Sequence, residues 1–496
     1  MDFVRNFPAI SILMCLFAGI ISSGMKQKMA RIVNMIVLIS VIAMSAATLI
    51  YTINLGDSFV YVMGMFPAPW GNEIRAGVLE AFMAMFFAII MFLSLLGGEM
   101  KLHDEVEEGK IFLYYVLNNL LLSSLLALIY TNDLFTAYVF VEINTISACG
   151  LIMIRQNGRT IEAAVRYMIM SLLGSAMLLL SICMIYDITG HLLMSNIQTA
   201  IAEMVMQDAY RIPLMFTISL VCVGLAIKSA LFPFHGWVAD AYGYSTVSSS
   251  AILSSLVSKG YIFLLIKIFY RVIGVEIIRD SKIINVLFIF GLAGMIFGSL
   301  SAIMEKDIRR MIAFSSVAQI GYIYMGFGLG TEAAMVASVF HILSHAATKA
   351  LLFIAAIGLT DVSGGSRHFG EVTGSAYRNK IAGVGFLVGS LSMVGLPAFS
   401  GFISKLLFAQ AAVYNHGKML PALIVLGIST ILNAIYFLKT VIRIYTPVKT
   451  EYPVKKASEQ KLYTVVLVLF ILINFILGLG SVPIINWIQS GITMFD

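Results

Sequence analysis

The chain has 496 residues, 60% of them hydrophobic and 12% charged, with a formal net charge of +6. A charged share about half the ~25% of ordinary domains excludes a soluble globular protein and describes a polytopic protein of the lipid bilayer. The positive balance gives no ground for a nucleic-acid partner, because the basic residues sit in short loops between apolar runs.

Apolar runs of about 18 or more residues mark membrane spans. They fall near 8–24, 31–53, 78–98, 112–131, 134–154, 163–187, 213–242, 246–271, 282–301, 308–328, 333–359, 382–415, 419–443 and 462–488. The sequence thus predicts an all-α polytopic membrane protein with about 14 transmembrane helices. The stretch Met1–Ser23 lacks a basic start followed by an A-x-A site, so the first run is expected to stay as a span. The seventh and twelfth runs are too long for one plain crossing. Each holds a proline, Pro233 in FPFHG and Pro397 in MVGLPAFSGFISKLLF. Proline removes a backbone donor, so helices 7 and 12 are expected to be broken. No soluble domain interrupts the chain, and its longest polar connections, near 54–77 and 188–212, are short.

Loop charges give the orientation. One side carries Lys26, Lys28 and Arg31; Arg155, Arg159 and Arg166; Lys306, Arg309 and Arg310; and Arg367, Arg378 and Lys380. The loop 444–461 adds Lys449, Lys455, Lys456 and Lys461. Roughly 20 Lys and Arg fall on that side and roughly 8 on the other, which puts these loops in the cytoplasm. Both termini are then expected outside a prokaryotic inner (plasma) membrane. The acidic stretch 99–110 reads as a cytoplasmic loop, since acids weigh little in this rule.

Charges inside spans are costly and are functional by default. Glu142 lies about nine residues into span five, roughly 12 Å deep. It is a candidate partner for Lys228 on span seven; its approach would hold the amine charged and its withdrawal would release a proton. A static ion pair locking two helices is the alternative. Lys228 and Lys259 are mid-span, too deep to snorkel. Lys267 and Arg271, one turn apart at the end of span eight, are expected to snorkel, as are Lys439 and Arg443. His341, His345 and Lys349 are spaced by four and share one helical stripe. Histidine titrates near neutrality, so they read as a proton relay, with hydrogen bonding or metal ligation as other options. His235, at the first break, is a candidate link between Lys228 and Lys259; packing is its other reading. Lys405 follows the second break and reads as the exit group. Asp307, Arg309 and Arg310 mark a cytoplasmic helix start. The small residues of STVSSSAILSSLVSKG suit close helix contact or water near Lys259. Cys15, Cys149, Cys183 and Cys222 form no CxxC pair, so no metal site or cofactor is expected in this chain.

In both broken helices a lysine stands beside the proline, before it in one and after it in the other. Odd span counts per half would invert the second half, and interrupted helices at matching positions point to a transport path. The domain reading is three helices in 1–111, a five-helix repeat in 112–271 (helices 4–8), an inverted one in 282–443 (helices 9–13), and a cytoplasmic loop with helix 14 in 444–496.

AIKSALFPFHGWVADAY, EKDIRRMIAFSSVAQIGY and HILSHAATKALLF together resemble the antiporter-like proton-conducting membrane subunits. That family includes large subunits of respiratory complex I, Mrp-type Na+/H+ antiporter subunits, and relatives in membrane-bound energy-converting hydrogenases. The resemblance implies two inverted five-helix repeats. It also implies roles in proton translocation for Glu142, Lys228, Lys259, His341, His345, Lys349 and Lys405. Two departures stand out: GYSTVSSSA lacks the family's proline-rich turn before helix eight, and no long lateral helix follows span fourteen. The function implied is a proton-translocating subunit of a multisubunit redox-driven complex, with Na+ as a further candidate ion and other membrane subunits as partners. The chain itself would be the non-redox, ion-translocating part. A subunit of an Mrp-type antiporter is the alternative; a stand-alone secondary transporter and a structural subunit are further ones.

Overall fold

Backbone polar groups in hydrocarbon must be satisfied within the chain, so long apolar runs fold as helices. The computed structural model describes residues 2–66, 71–207, 211–447 and 461–495. Helices α1 (Phe7–Ser22) and α2 (Gln27–Leu55) lead into a hairpin of β1 (Phe59–Val62) and β2 (Glu73–Ala76), antiparallel, with Phe59 opposite Ala76. Then come α3 (Val78–Glu105), α4 (Ile111–Tyr130), α5 (Leu134–Met153), α6 (Gly158–Thr189) and a short helix α7 (Met194–Met206). Span seven is α8 (Arg211–Ser229) and, beyond Pro233, α9 (Val238–Tyr244). Span eight is α10 (Val247–Ile252), a π-helical turn over Leu253–Val257, α11 (Ser258–Ile268) and a second π turn over Phe269–Ile273. The second half holds α12 (Val275–Asp280), α13 (Ile283–Met304), α14 (Ile308–Leu329), α15 (Glu332–Asp361) and α16 (Ser375–Arg378). It continues with α17 (Lys380–Val394), α18 (Ser400–Val413), α19 (His416–Ile444), α20 (Lys461–Leu479) and α21 (Ser481–Thr493).

Among the described residues, 13 helices are long and apolar enough to cross a membrane. The shorter pair α17 and α18 makes one broken crossing more, which agrees with the outline read from the sequence. Span eight and α15 are buried almost throughout, and α14 nearly so. These form the centre. Helices α2, α6, α19 and α20 turn apolar faces outward, as lipid-facing helices do. Glycines let α13 and α14 touch backbone to backbone: a Cβ at Gly321 would stand 2.6 Å from the Gly291 carbonyl oxygen.

Several boundaries differ from those expected. Span fourteen ends at Leu479, not near 488, and α21 is a separate helix. Pro483 in the first turn of α21 has no N–H to continue the helix before it. Gly491 lays α21 closely against Leu79 of α3. The acidic stretch is mostly helix, because α3 runs on to Glu105. Its charges are paired there: Glu99 with Arg31 at 2.6 Å, and Lys101 with Asp361 at 2.5 Å. The connections 54–77 and 188–212 hold the β-hairpin and α7. Lys449, Lys455 and Lys456 lie outside the described residues.

Candidate functional site

Lys228 sits in the last turn of α8, just before the break. Gly174 of α6 and Gly224 of α8 bring these helices together; a Cβ on either would lie 2.8 Å from the other's carbonyl oxygen. The Lys228 Nζ donates to Thr145 Oγ1 (2.8 Å) and Ser171 Oγ (3.1 Å). It stands 4.0 Å from Glu142 Oε1, an oxygen with no hydrogen-bond partner among the described residues. The expected pair is therefore present but loose. Neutral hydroxyls hold the amine, and the Glu142 side chain is 26% exposed while the oxygen facing Lys228 is buried. The Tyr261 ring, 5.3 Å from Lys228 Nζ, leads toward α11, and its hydroxyl donates to Asn144 Oδ1 (2.9 Å).

Lys259 opens α11 directly after the π turn. Its Nζ donates to the carbonyl of Ser254, five residues back, inside that turn. Single π turns in α-helices recur at functional sites because they free a carbonyl from the regular ladder. Lys259 lies within electrostatic reach of His341, His345 and Lys349 on α15. The two histidine rings stack 5.8 Å apart, and Tyr322 stacks on His341 at 5.5 Å. His341 Nδ1 bonds Ser404 Oγ (2.5 Å), while neither ring nitrogen of His345 has a partner among the described residues. Lys349 Nζ donates to the Ile312 carbonyl (2.8 Å) and to Ser315 Oγ.

Lys405 reaches back across the second break. Its Nζ donates to the carbonyls of Val394 (2.6 Å) and Met393 (3.2 Å). These carbonyls end α17, where a helix leaves its last acceptors unpaired and attracts a cation. Gly395, at φ +90°, makes the turn, and a Cβ there would stand 2.9 Å from Lys405 Cδ. His341 is within electrostatic reach of Lys405 as well. A string of polar groups thus stands from Glu142 to Lys405, in which hydrogen bonds join Lys228 to Thr145 and Ser171 and His341 to Ser404, while among the described residues none joins Lys228 to Lys259 or Lys259 to the histidines.

His235 is placed apart from this string. It stacks on Phe232 (5.3 Å), and among the described residues no hydrogen bond joins it to Lys228 or Lys259. Lys267 and Arg271 do not snorkel. Lys267 donates to the carbonyls of Ile129 (2.9 Å), Leu128 and Thr131 at the end of α4. Arg271 pairs with Glu80 at 2.6 Å, and its guanidinium lies 4.2 Å over the Phe495 ring. Span eight is enclosed on all sides, so no interface lies within their reach. At the face of the basic loops, Asp307 caps α14 by accepting from Arg309 N (2.8 Å) and Arg310 N (3.2 Å). Buried Arg309 reaches Ser250 Oγ (2.8 Å). The serine run thus serves both readings, close contact and hydrogen bonding.

The residues that hold the lysines and His341 were missed from sequence: Thr145 and Ser171 for Lys228, Ser254 for Lys259, Ser315 for Lys349, Met393 and Val394 for Lys405, and Ser404 for His341. They carry no charge, and only the serine run hinted at Ser254. Among the described residues no group of three or more His, Cys, Asp or Glu side chains gathers.

Comparison with known proteins bears on this string directly. The chain is 32% identical over 410 residues, 82% of this chain and 79% of the relative, to NADH-quinone oxidoreductase subunit N of Desulforudis audaxviator. It is 25% identical over 377 residues, 75% of this chain and 74% of the relative, to a Na+/H+ antiporter subunit of Alkalihalophilus pseudofirmus. Its fold is similar to a chain of the membrane-bound sulfane sulfur reductase, an archaeal respiratory membrane complex, with TM-score 0.89 and 24% identity over 100% of this chain and 98% of that one. A chain of the Mrp complex from Dietzia sp. is similar too, with TM-score 0.86 and 24% identity over 100% and 98%. The family described as NADH:quinone oxidoreductase/Mrp antiporter, TM, matches residues 131–433, a stretch that contains every group from Glu142 to Lys405. The chain belongs to the NADH:quinone oxidoreductase/Mrp antiporter transmembrane family.

Proposed function

We propose that this chain translocates protons as an antiporter-like subunit of a multisubunit, redox-driven complex in a prokaryotic cell membrane. The observation that carries this reading is the placing of buried amines and imidazoles along the centre of the helix array, starting at a loose, partly exposed acid–amine pair. Protons enter from the cytoplasm and pass the Glu142–Lys228 pair. They continue over Lys259 and the His341–His345–Lys349 stripe, and leave outward from Lys405. The two broken helices serve as matching positions of two inverted five-helix repeats, residues 112–271 and 282–443.

Movement of Glu142 is the switch. A unit charge at ~4 Å contributes ~4 kcal/mol at an effective dielectric near 20. That is about a thousand-fold in the preference of an amine for its proton, at ~1.4 kcal/mol per decade. Because Glu142 is partly exposed, a neighbouring subunit can take part in the same switch, and the driving force comes from that neighbour.

The test is proton uptake in membrane vesicles. Lys228→Ala and Glu142→Gln each abolish uptake while the chain still assembles with its partners. Full uptake in both variants removes the mechanism. A second reading, a subunit of an Mrp-type Na+/H+ antiporter, is favoured by the likeness to the antiporter subunit of Alkalihalophilus pseudofirmus. Uptake driven by an imposed ion gradient without an electron donor, with Na+ moving in exchange, selects that reading; dependence on an electron donor selects the first.

A further inference from the structure

One large feature of the molecule has no part in the relay. At the membrane face of the basic loops, a cavity of about 510 Å³ opens between the C-terminal ends of α13 and α19 and the segment 368–373. Lys306, His368, Lys439 and Arg443 line it. Glu305 lines it too, but Arg310 holds that carboxylate at 3.0 Å and takes up its charge. The Arg443 guanidinium lies 5.2 Å over the Phe369 ring, which fixes it in the cavity wall.

The cavity continues into an apolar groove along α19. Ile435 and Lys439 belong to both; Ile431, Leu438 and Ile442 line the groove. Ile431 is 63% and Ile442 68% exposed, so this face of α19 meets hydrocarbon. From Lys439 to Ile431 the groove runs ~12 Å along the helix, at 1.5 Å per residue. A cationic cup at the interface above an apolar track in the hydrocarbon is the shape and polarity of a lipid.

We propose that this cavity binds the headgroup of an anionic phospholipid, with an acyl chain lying in the α19 groove. Lys306, Lys439 and Arg443 contact the phosphate, for which charge-assisted and bidentate bonds are the strong ones. The His368 imidazole adds a hydrogen bond. Basic pockets between membrane helices on the cytoplasmic side recognise anionic headgroups in this way. A choline headgroup carries a quaternary ammonium into the same cup, where the three cations repel it.

The test uses the protein extracted from its membrane with its partners, and native mass spectrometry with added phosphatidylglycerol or phosphatidylcholine. The unaltered protein retains phosphatidylglycerol at least ten-fold better. Lys306→Ala, Lys439→Ala and Arg443→Ala combined remove this preference, since each cation near the surface contributes about five-fold; Lys439→Arg preserves it. Equal retention of the two lipids by the unaltered protein, or unchanged preference in the triple variant, overturns the proposal. So does full displacement of phosphatidylglycerol by inorganic phosphate, which marks a site for a free anion. So does cross-linking of Ile442→Cys to a neighbouring subunit, which marks a protein interface. If the triple variant does not accumulate, Ile435→Trp, which fills the groove and leaves the cations, must still lower retention.

Discussion

Arg271 and Glu80 show how much a single buried charge depends on its partner. Both side chains are closed off from solvent, and the ion pair of 2.6 Å joins span eight to the start of α3. Removing one member of a buried pair strands the other and costs about 3–5 kcal/mol, while replacing both with apolar residues is often neutral. Arg271→Leu is therefore expected to lower the thermal midpoint of the detergent-solubilised protein markedly. Glu80→Leu combined with Arg271→Met recovers most of the loss, and equal midpoints for the single and double variants count against this account. Thr145→Val makes the complementary case, since it removes the nearest acceptor of Lys228. A hydrogen bond to a charged group contributes ~1.5–3 kcal/mol, so proton uptake in vesicles should fall by roughly ten-fold or more. The sequence spoke clearly about which charges lie deep, because an amine in a long apolar run is conspicuous. It misled about Lys267 and Arg271, because snorkelling is judged from one helix alone. Their partners stand up to 191 positions upstream in the chain, and no local pattern points there.

At the scale of elements, the breaks in spans seven and twelve were legible because proline acts on the backbone directly. The second break gives a sharp test. Gly395 has a positive φ and lies against the Lys405 side chain, so Gly395→Ala is doubly penalised. Strain of ~1–2 kcal/mol from the left-handed backbone comes with displacement of Lys405, and uptake should fall while the chain still accumulates. Gly321 is a purely structural counterpart. Gly321→Leu wedges α13 from α14 and is expected to cut the amount of folded protein recovered from the membrane, with retained yield as the contrary result. The division between α20 and α21 and the extension of α3 to Glu105 escaped the sequence. The first needs Pro483 to be weighed inside an apolar run, and the second hides helix beneath charges that pair with other elements. The π turn before Lys259 has no composition of its own.

For the whole molecule, the outer helices shield a centre of span eight, α14 and α15, and every amine of the relay is reached from that centre. The orientation expected from loop charge is tested by labelling in a Cys183→Ser background. Met65→Cys, in the exposed hairpin, should react with an impermeant maleimide added outside whole cells. Lys306→Cys should react only after permeabilisation, and the reverse pattern would turn the protein over. The π turn at Leu253–Val257 carries one further consequence. Losing a single codon in this stretch would let the coil close up into ordinary geometry, because an i→i+5 turn differs from an i→i+4 turn by one residue; Lys259 would keep its heading, and the Ser254 carbonyl that its amine bonds would return to the regular ladder. The spacing of the gene here, as much as its spelling, gives the central amine its acceptor, and an in-frame one-codon deletion would take that acceptor away while leaving the α15 stripe in place.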